Sequence, residues 1–204
     1  VANSIYDEIL DFASYAFNKA HAVSYAIVAY RTAYMKRHYP QQYMAALLTS
    51  VLESSTKGAE YIAECRELGI KLLPPDVNES DANFTVAGEN IRFGLVAIKG
   101  IGWGAIEELV AERHENGLFT SFEDFCKRMS GKELNRRAVE NLIRAGAFDG
   151  MGYKRKALLQ IAGAVIDSIS QAARDNIAGQ YDLFGDFEAQ SEASPQTIPI
   201  PDVE

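Results

Sequence analysis

The nineteen residues from Leu95 to Arg113, LVAIKGIGWGAIEELVAER, constrain the fold of this chain more than any other stretch. Their spacing predicts a first short helix ending at Lys99, a tight Gly100-Ile101-Gly102 turn, and a second helix from about Gly104 to His114. Leu95, Ile98, Ile101, Ala105, Ile106, Leu109 and Val110 supply an apolar seam that packs the two helices together. Without a Cβ, the two glycines can take φ > 0 and let the backbone approach another molecule closely. The turn leaves unpaired N–H groups at the start of the second helix, where the dipole favours an anion.

This is the pattern of a helix-hairpin-helix, a module that holds nucleic acid by its phosphates and not its bases. Lys99, Gly100, Ile101 and Gly102 are therefore candidate DNA-backbone contacts. An αα-hairpin with a Gly-rich turn and no ligand stands beside that reading, because Glu107 and Glu108 follow the turn.

A net charge of −8 argues superficially against nucleic acid, but its distribution does not. Residues 127 to 156 carry nine cations against three acids, whereas residues 157 to 204 carry one arginine against eight acids. The local field decides where a phosphate backbone lands. Within the basic stretch, Lys132, Arg136 and Arg137 fall close together and form a second DNA-binding candidate, continued by Arg144, Lys154 and Arg155. A solvated face is the plain alternative. At 204 residues and 48% hydrophobic content the chain can bury a real core. No run of about 18 apolar residues predicts a membrane span. Cys65 and Cys126 lack metal-type spacing and read as core residues of a reduced, cytoplasmic protein. Val1 is not an initiator methionine and opens directly on a helical pattern, as expected of a piece of a longer polypeptide.

The fold expected is mainly α. Residues 1 to 69 read as helices, among them His21 to Tyr39, apolar almost all round and hence expected to be packed on most sides. Its terminal Arg31, Lys36 and Arg37 suit the helix dipole and offer either a DNA-facing edge or a solvated helix end. Ile70 to Leu73 predicts a short strand, and Phe84-Thr85-Val86 with Ile91-Arg92-Phe93 a β-hairpin. Between them, Asp76 to Asp81 has alternating side-chain oxygens, but Asx turns explain its composition better than a metal. Helices from Phe119 to Phe125 (capped by Thr120 or Ser121) and from Leu134 to Ala145 form a degenerate second hairpin without the Gly-x-Gly turn. A long helix from Lys154 to about Ala178 precedes a flexible acidic tail from Gly179 onward.

Five blocks carry a resemblance to the alpha subunits of bacterial replicative DNA polymerase III, the C family of DNA polymerases. They are Phe12-Ala13-Ser14-Tyr15-Ala16-Phe17-Asn18-Lys19-Ala20-His21-Ala22 and Ala45-Ala46-Leu47-Leu48-Thr49-Ser50, then Leu73-Pro74-Pro75-Asp76-Val77-Asn78. Arg92-Phe93-Gly94-Leu95 with Ile98-Lys99-Gly100-Ile101-Gly102, and Ile143-Arg144-Ala145-Gly146-Ala147-Phe148-Asp149, complete the set. The resemblance implies that residues 1–69 are the C-terminal part of the polymerase fingers. Residues 70–178 would hold the β-hairpin and tandem helix-hairpin-helix that grip duplex DNA, and 179–204 the tail.

It further implies contact of Lys19 and His21 with nucleotide or template; a solvated Lys19 and a His21 packed at the helix start are the alternative. Gln180, Leu183 and Phe184 resemble the short peptide that docks polymerases on the sliding clamp; in the alternative the Leu-Phe pair folds back on the long helix. Polymerase catalysis needs palm carboxylates holding two metal ions. No clustered Asp-x-Asp on a strand pattern occurs here, so the palm and its Mg2+ are expected before Val1. No catalytic residue and no cofactor are expected in this stretch itself. Expected partners are double-stranded DNA, the clamp and other replicase subunits, not a membrane. A stand-alone helix-hairpin-helix adaptor in DNA repair, or a protein-binding hairpin module, are the competing readings.

Overall fold

The computed structural model describes residues 1–15, 19–52, 54–180 and 201. Among them run α1 (Ala2–Tyr15), α2 (Lys19–His38), α3 (Pro40–Ser50) and α4 (Ser55–Glu67). The strands β1 (Leu72–Leu73), β2 (Thr85–Ala87) and β3 (Asn90–Arg92) follow, then α5 (Trp103–Asn116), α6 (Phe122–Arg128), α7 (Arg136–Ala145) and α8 (Arg155–Gln180). The architecture is mainly α, as expected. Among the described residues no helix is long and apolar enough to cross a membrane.

The strands form one sheet in the order β1-β3-β2, with β1 parallel and β2 antiparallel to β3. The hairpin falls where its sequence placed it, with Val86 opposite Ile91. The first strand is shorter than expected. Gly69 N–H donates to Arg66 O at 3.0 Å and Ile70 N–H to Cys65 O at 2.8 Å, the paired bonds of a Schellman cap. Ile70 is thereby spent on closing α4, and only Leu72 and Leu73 pair with β3.

Two cores hold the chain. The smaller joins Met44, Leu48, Cys65, Ile70, Phe84 and Ile91, so that α3 and α4 pack on the sheet and the packing runs across residue 69. The larger gathers α5, α6, α7 and the first half of α8 around Phe122, Phe125 and Phe148. The Phe148 ring meets those of Phe122 and Phe125 edge-on, at centroid separations of 5.1 and 4.9 Å, a geometry that adds electrostatic attraction to area burial. Both cysteines are buried and unbonded, and burial pushes the Cys126 thiol up to about 12.

One expectation fails here. Helix α2 is not packed on most sides: Tyr25, Val28 and Tyr30 are 65%, 55% and 71% exposed. Its apolar residues are spread around the whole helix, so α3 alone cannot cover them. Its end is anchored where Lys36 pairs with Glu64 of α4, so that cation serves packing.

The first helix of the Gly-rich hairpin is also shorter than its sequence suggested. It is a single 3-10 turn, Leu95–Ala97, after which Ile98 is extended at ψ 115°. The amides of Leu95 and Val96 donate to Asp81 O and Ala82 O at 3.0 and 3.1 Å, tying the entry of the turn to the loop below. Gly94 permits that approach: a Cβ there would stand 2.5 and 2.6 Å from the backbone of Asn83 and Phe84.

Candidate nucleic-acid interface

The loop from Asp76 to Asp81 is the platform under the hairpin. Asn78 N–H donates to Asp76 Oδ1 at 2.7 Å, an Asx turn. The Asn78 side chain also clasps Phe119, donating to its carbonyl at 2.9 Å and accepting from its amide at 2.8 Å. Arg113 of α5 is 8% exposed. It donates to Val77 O and Ser80 O at 3.1 and 2.7 Å and pairs with Asp81 at 2.8 Å. A buried guanidinium needs such saturation of its donors. The acids and amides of this loop thus build structure; among the described residues no three His, Cys, Asp or Glu side chains converge as a metal site.

On this platform the bend lies open. Gly100 has φ +81°, a conformation L side chains rarely adopt. Gly102 does not: at φ −72° and ψ 151° it is ordinary extended backbone, and it caps α5 with no side-chain bond. Both residues are exposed. The amides of Gly100 and Gly102 have no acceptor among the described residues, so donors at the start of a fourteen-residue helix stay unsatisfied. Ile101 turns inward to the larger core, while Trp103, first in the helix, is 47% exposed.

Of the candidate cations, Lys99 and Arg137 are exposed and have no ion-pair partner among the described residues. The two are linked through α7. Asn141, one turn beyond Arg137, donates from Nδ2 to Lys99 O at 3.0 Å. Residues 137, 141 and 144 fall on the exposed side of α7, opposite the buried Ala138, Val139, Leu142 and Ile143.

Arg136, Arg144, Arg155 and Lys132 are occupied. Arg136 and Arg144 share Glu140 at 3.3 and 3.1 Å, and the Arg136 guanidinium lies against Gly163 of α8. Arg155 binds Asp149. Lys132 is apart from the bend: it pairs with Glu112, which also takes Arg128 at 3.1 Å. Glu112 is ten residues past Gly102, about 15 Å along the helix. Hydrogen bonds from Lys132, Arg128 and Asn116 hold the Glu112 carboxyl down at about 2. On the other flank of the bend, the Glu133 carboxylate lies against Gly104, brought there as its own amide donates to Glu108 at 2.8 Å. The sequence singled out neither Asn141 nor Glu112 nor Glu133. For Asn141 the only signal is an amide on a helix face otherwise made of charged residues.

At the start of α2, the exposed His21 ring rests 4.5 Å from that of Tyr25 one turn on. Lys19 opens the same helix, and Gln180 is the last residue of α8. Leu183 and Phe184 lie outside the described residues.

Comparison with known proteins agrees with this geometry. Residues 69–158 match a helix-hairpin-helix motif family. The chain is 44% identical over 203 residues to the DNA polymerase III subunit alpha of Mycobacterium tuberculosis, covering 98% of this chain and 17% of that protein. It is 45% identical over 183 residues to the subunit of Saccharopolyspora erythraea, with 90% and 15% covered. To that of Escherichia coli K12 it is 39% identical over 198 residues, with 97% and 17% covered. The chain thus spans about a sixth of the length of these relatives. It belongs to the DNA polymerase III alpha-subunit family, as the counterpart of one helix-hairpin-helix-containing segment.

Proposed function

We propose that this chain is the duplex-binding and clamp-tethering segment of a bacterial replicative DNA polymerase. Its hairpin grips the DNA backbone without regard to sequence. One observation carries this: an exposed, uncapped bend with unsatisfied Gly100 and Gly102 amides, in a chain similar to polymerase alpha subunits along 98% of its length. Phosphate oxygens supply what those donors lack, and Lys99 and Arg137 supply charge on either side.

Template-directed nucleotidyl transfer belongs to the whole polymerase, with Mg2+ held by palm carboxylates elsewhere in it. Residues 1–69 serve as the end of the fingers, whose remaining elements cover the apolar surface of α2. There Lys19 and His21 approach nucleotide or template. In the tail, Gln180 bonds the rim of a pocket on the sliding clamp while Leu183 and Phe184 fill it. The assembly works in the cytoplasm with the other replicase subunits.

Fluorescence anisotropy with two duplexes of unrelated sequence tests the binding. Equal affinities are expected, with log K falling against log[salt] at a slope of roughly −2 to −3 for two or three phosphates neutralised. A strong preference for one duplex, or affinity indifferent to salt, contradicts the reading. For the tail, replacing Leu183 and Phe184 by alanine should abolish clamp binding; unchanged affinity would reject that part alone.

A further inference from the structure

We infer that Asn141 is the positioning residue of the phosphate-binding bend: it orients the Lys99–Gly100 peptide and couples the second hairpin to the first. The inference rests on the reading that the bend binds duplex phosphates, and adds a residue outside the Gly-rich segment to that site.

The geometry is specific. Asn141 Nδ2 donates to Lys99 O at 3.0 Å across 42 residues of sequence. The other end of the amide is held as well, because Arg144 Nη1 donates to Asn141 Oδ1 at 3.4 Å while its Nη2 holds Glu140 at 3.1 Å. With a donor at Oδ1, the amide can present only Nδ2 to the carbonyl. A peptide group is planar and trans, so its C=O and N–H point in opposite directions. Drawing Lys99 O onto α7 therefore turns Gly100 N–H away from α7, toward solvent and an approaching phosphate.

The positive φ of Gly100 already disfavours any side chain there, and a Cβ on it would stand 2.7 Å from Asn141 Nδ2 and push that amide aside. Asn141 and the glycine thus occupy one site jointly. Asn141 further sets the bend in register with its own helix. Arg137 lies one turn before it on the same exposed side of α7, so the bend donors and that cation face one phosphate rail. A donor fixed before binding costs less ordering when the duplex arrives.

The test uses the whole 204-residue chain and a short fluorescein-labelled duplex. Asn141→Leu keeps the size of the side chain and removes its donor. Affinity at fixed salt should fall about fivefold to tenfold, the range expected when one hydrogen bond is lost. The salt slope should stay unchanged, since no cation is removed. A double-mutant cycle with Gly100→Ala should show less than additive loss, because both variants spoil the same peptide. In the free chain, Asn141→Leu should also move the 1H–15N signal of Gly100 and leave that of Asp124, capped within α6, in place, a selectivity that general loosening of the fold would not give. Circular dichroism confirms folding, and if Asn141→Leu does not fold, Asn141→Ala carries the same comparison. The inference is overturned if the original chain binds duplex while the variant binds within twofold of it, or if the cycle is additive. Failure of the original chain itself to bind would instead overturn the reading beneath it.

Discussion

The two hairpins differ most at the first turn of their second helices. Helix α7 begins under its own cap: the Asn135 side chain accepts from Ala138 N–H at 2.9 Å. Helix α5 begins at Gly102 with no side chain to do the same. Capping by asparagine satisfies one of the orphan donors of a helix start; leaving it out keeps those donors for something else. The entry segments diverge in the same sense. The second hairpin enters through a true helix, α6, capped by Ser121 accepting from Asp124 N–H at 3.0 Å. The first enters through one 3-10 turn clamped to the 81–84 loop. One hairpin is built to be stable and the other to be open, and their shared core lets the first lean on the second.

Four substitutions or conditions would break or sharpen this contrast. The largest effect is expected at Gly94, where Gly94→Ala drives a methyl into the backbone of Asn83 and Phe84. Overpacking against a backbone that cannot yield should cost about 2–3 kcal/mol in urea denaturation. The matching removal in the second hairpin, Asn135→Ala, should cost about 1 kcal/mol for the lost cap and leave duplex affinity alone. Loss of affinity there would mean that both helix starts bind phosphate.

Making the first hairpin resemble the second is the sharper test. Gly102→Asn should gain a few tenths of a kcal/mol as a side-chain cap forms, and weaken duplex binding several-fold as that cap competes with phosphate. Stability and affinity must move in opposite directions. The smallest effect is in the response to acid. Glu112 has a folded value near 2 against an ordinary 4.5. It therefore stabilises the fold fully above about pH 4.5 and progressively less as pH falls toward 2. Glu112→Gln should flatten the Tm-against-pH curve in that window. An unchanged curve would remove Glu112 as the tie between α5 and the α6–α7 connection.

Much of this contrast was legible along the chain because it depends on neighbouring residues. The glycines of the 100–102 bend, the Ser121 cap, the β-hairpin around Gly88 and the Asx turn at Asp76 each rest on residues within about seven positions of one another. What the sequence concealed depends on partners far along it. Lys132 reads as a free cation until it meets Glu112, twenty residues earlier. Helix α2 reads as buried because its composition is apolar, yet burial needs neighbours that the described residues do not supply. The first helix of the bend stops after one turn, where Ile98 turns extended and joins a core built from residues far along the chain. Asn141 was invisible for the same reason, since its significance lies in a carbonyl 42 residues away.

The central claim is that the amides at the bend are the groups that hold a phosphate backbone. A 1H–15N titration of the chain with duplex DNA at low salt measures this residue by residue. The account predicts saturable shifts of the Gly100 and Gly102 amides, with the Asp124 amide, already capped by Ser121, unmoved. Shifts centred on Asp124 or on the Lys132–Glu112 pair, with the two glycines silent, would contradict it.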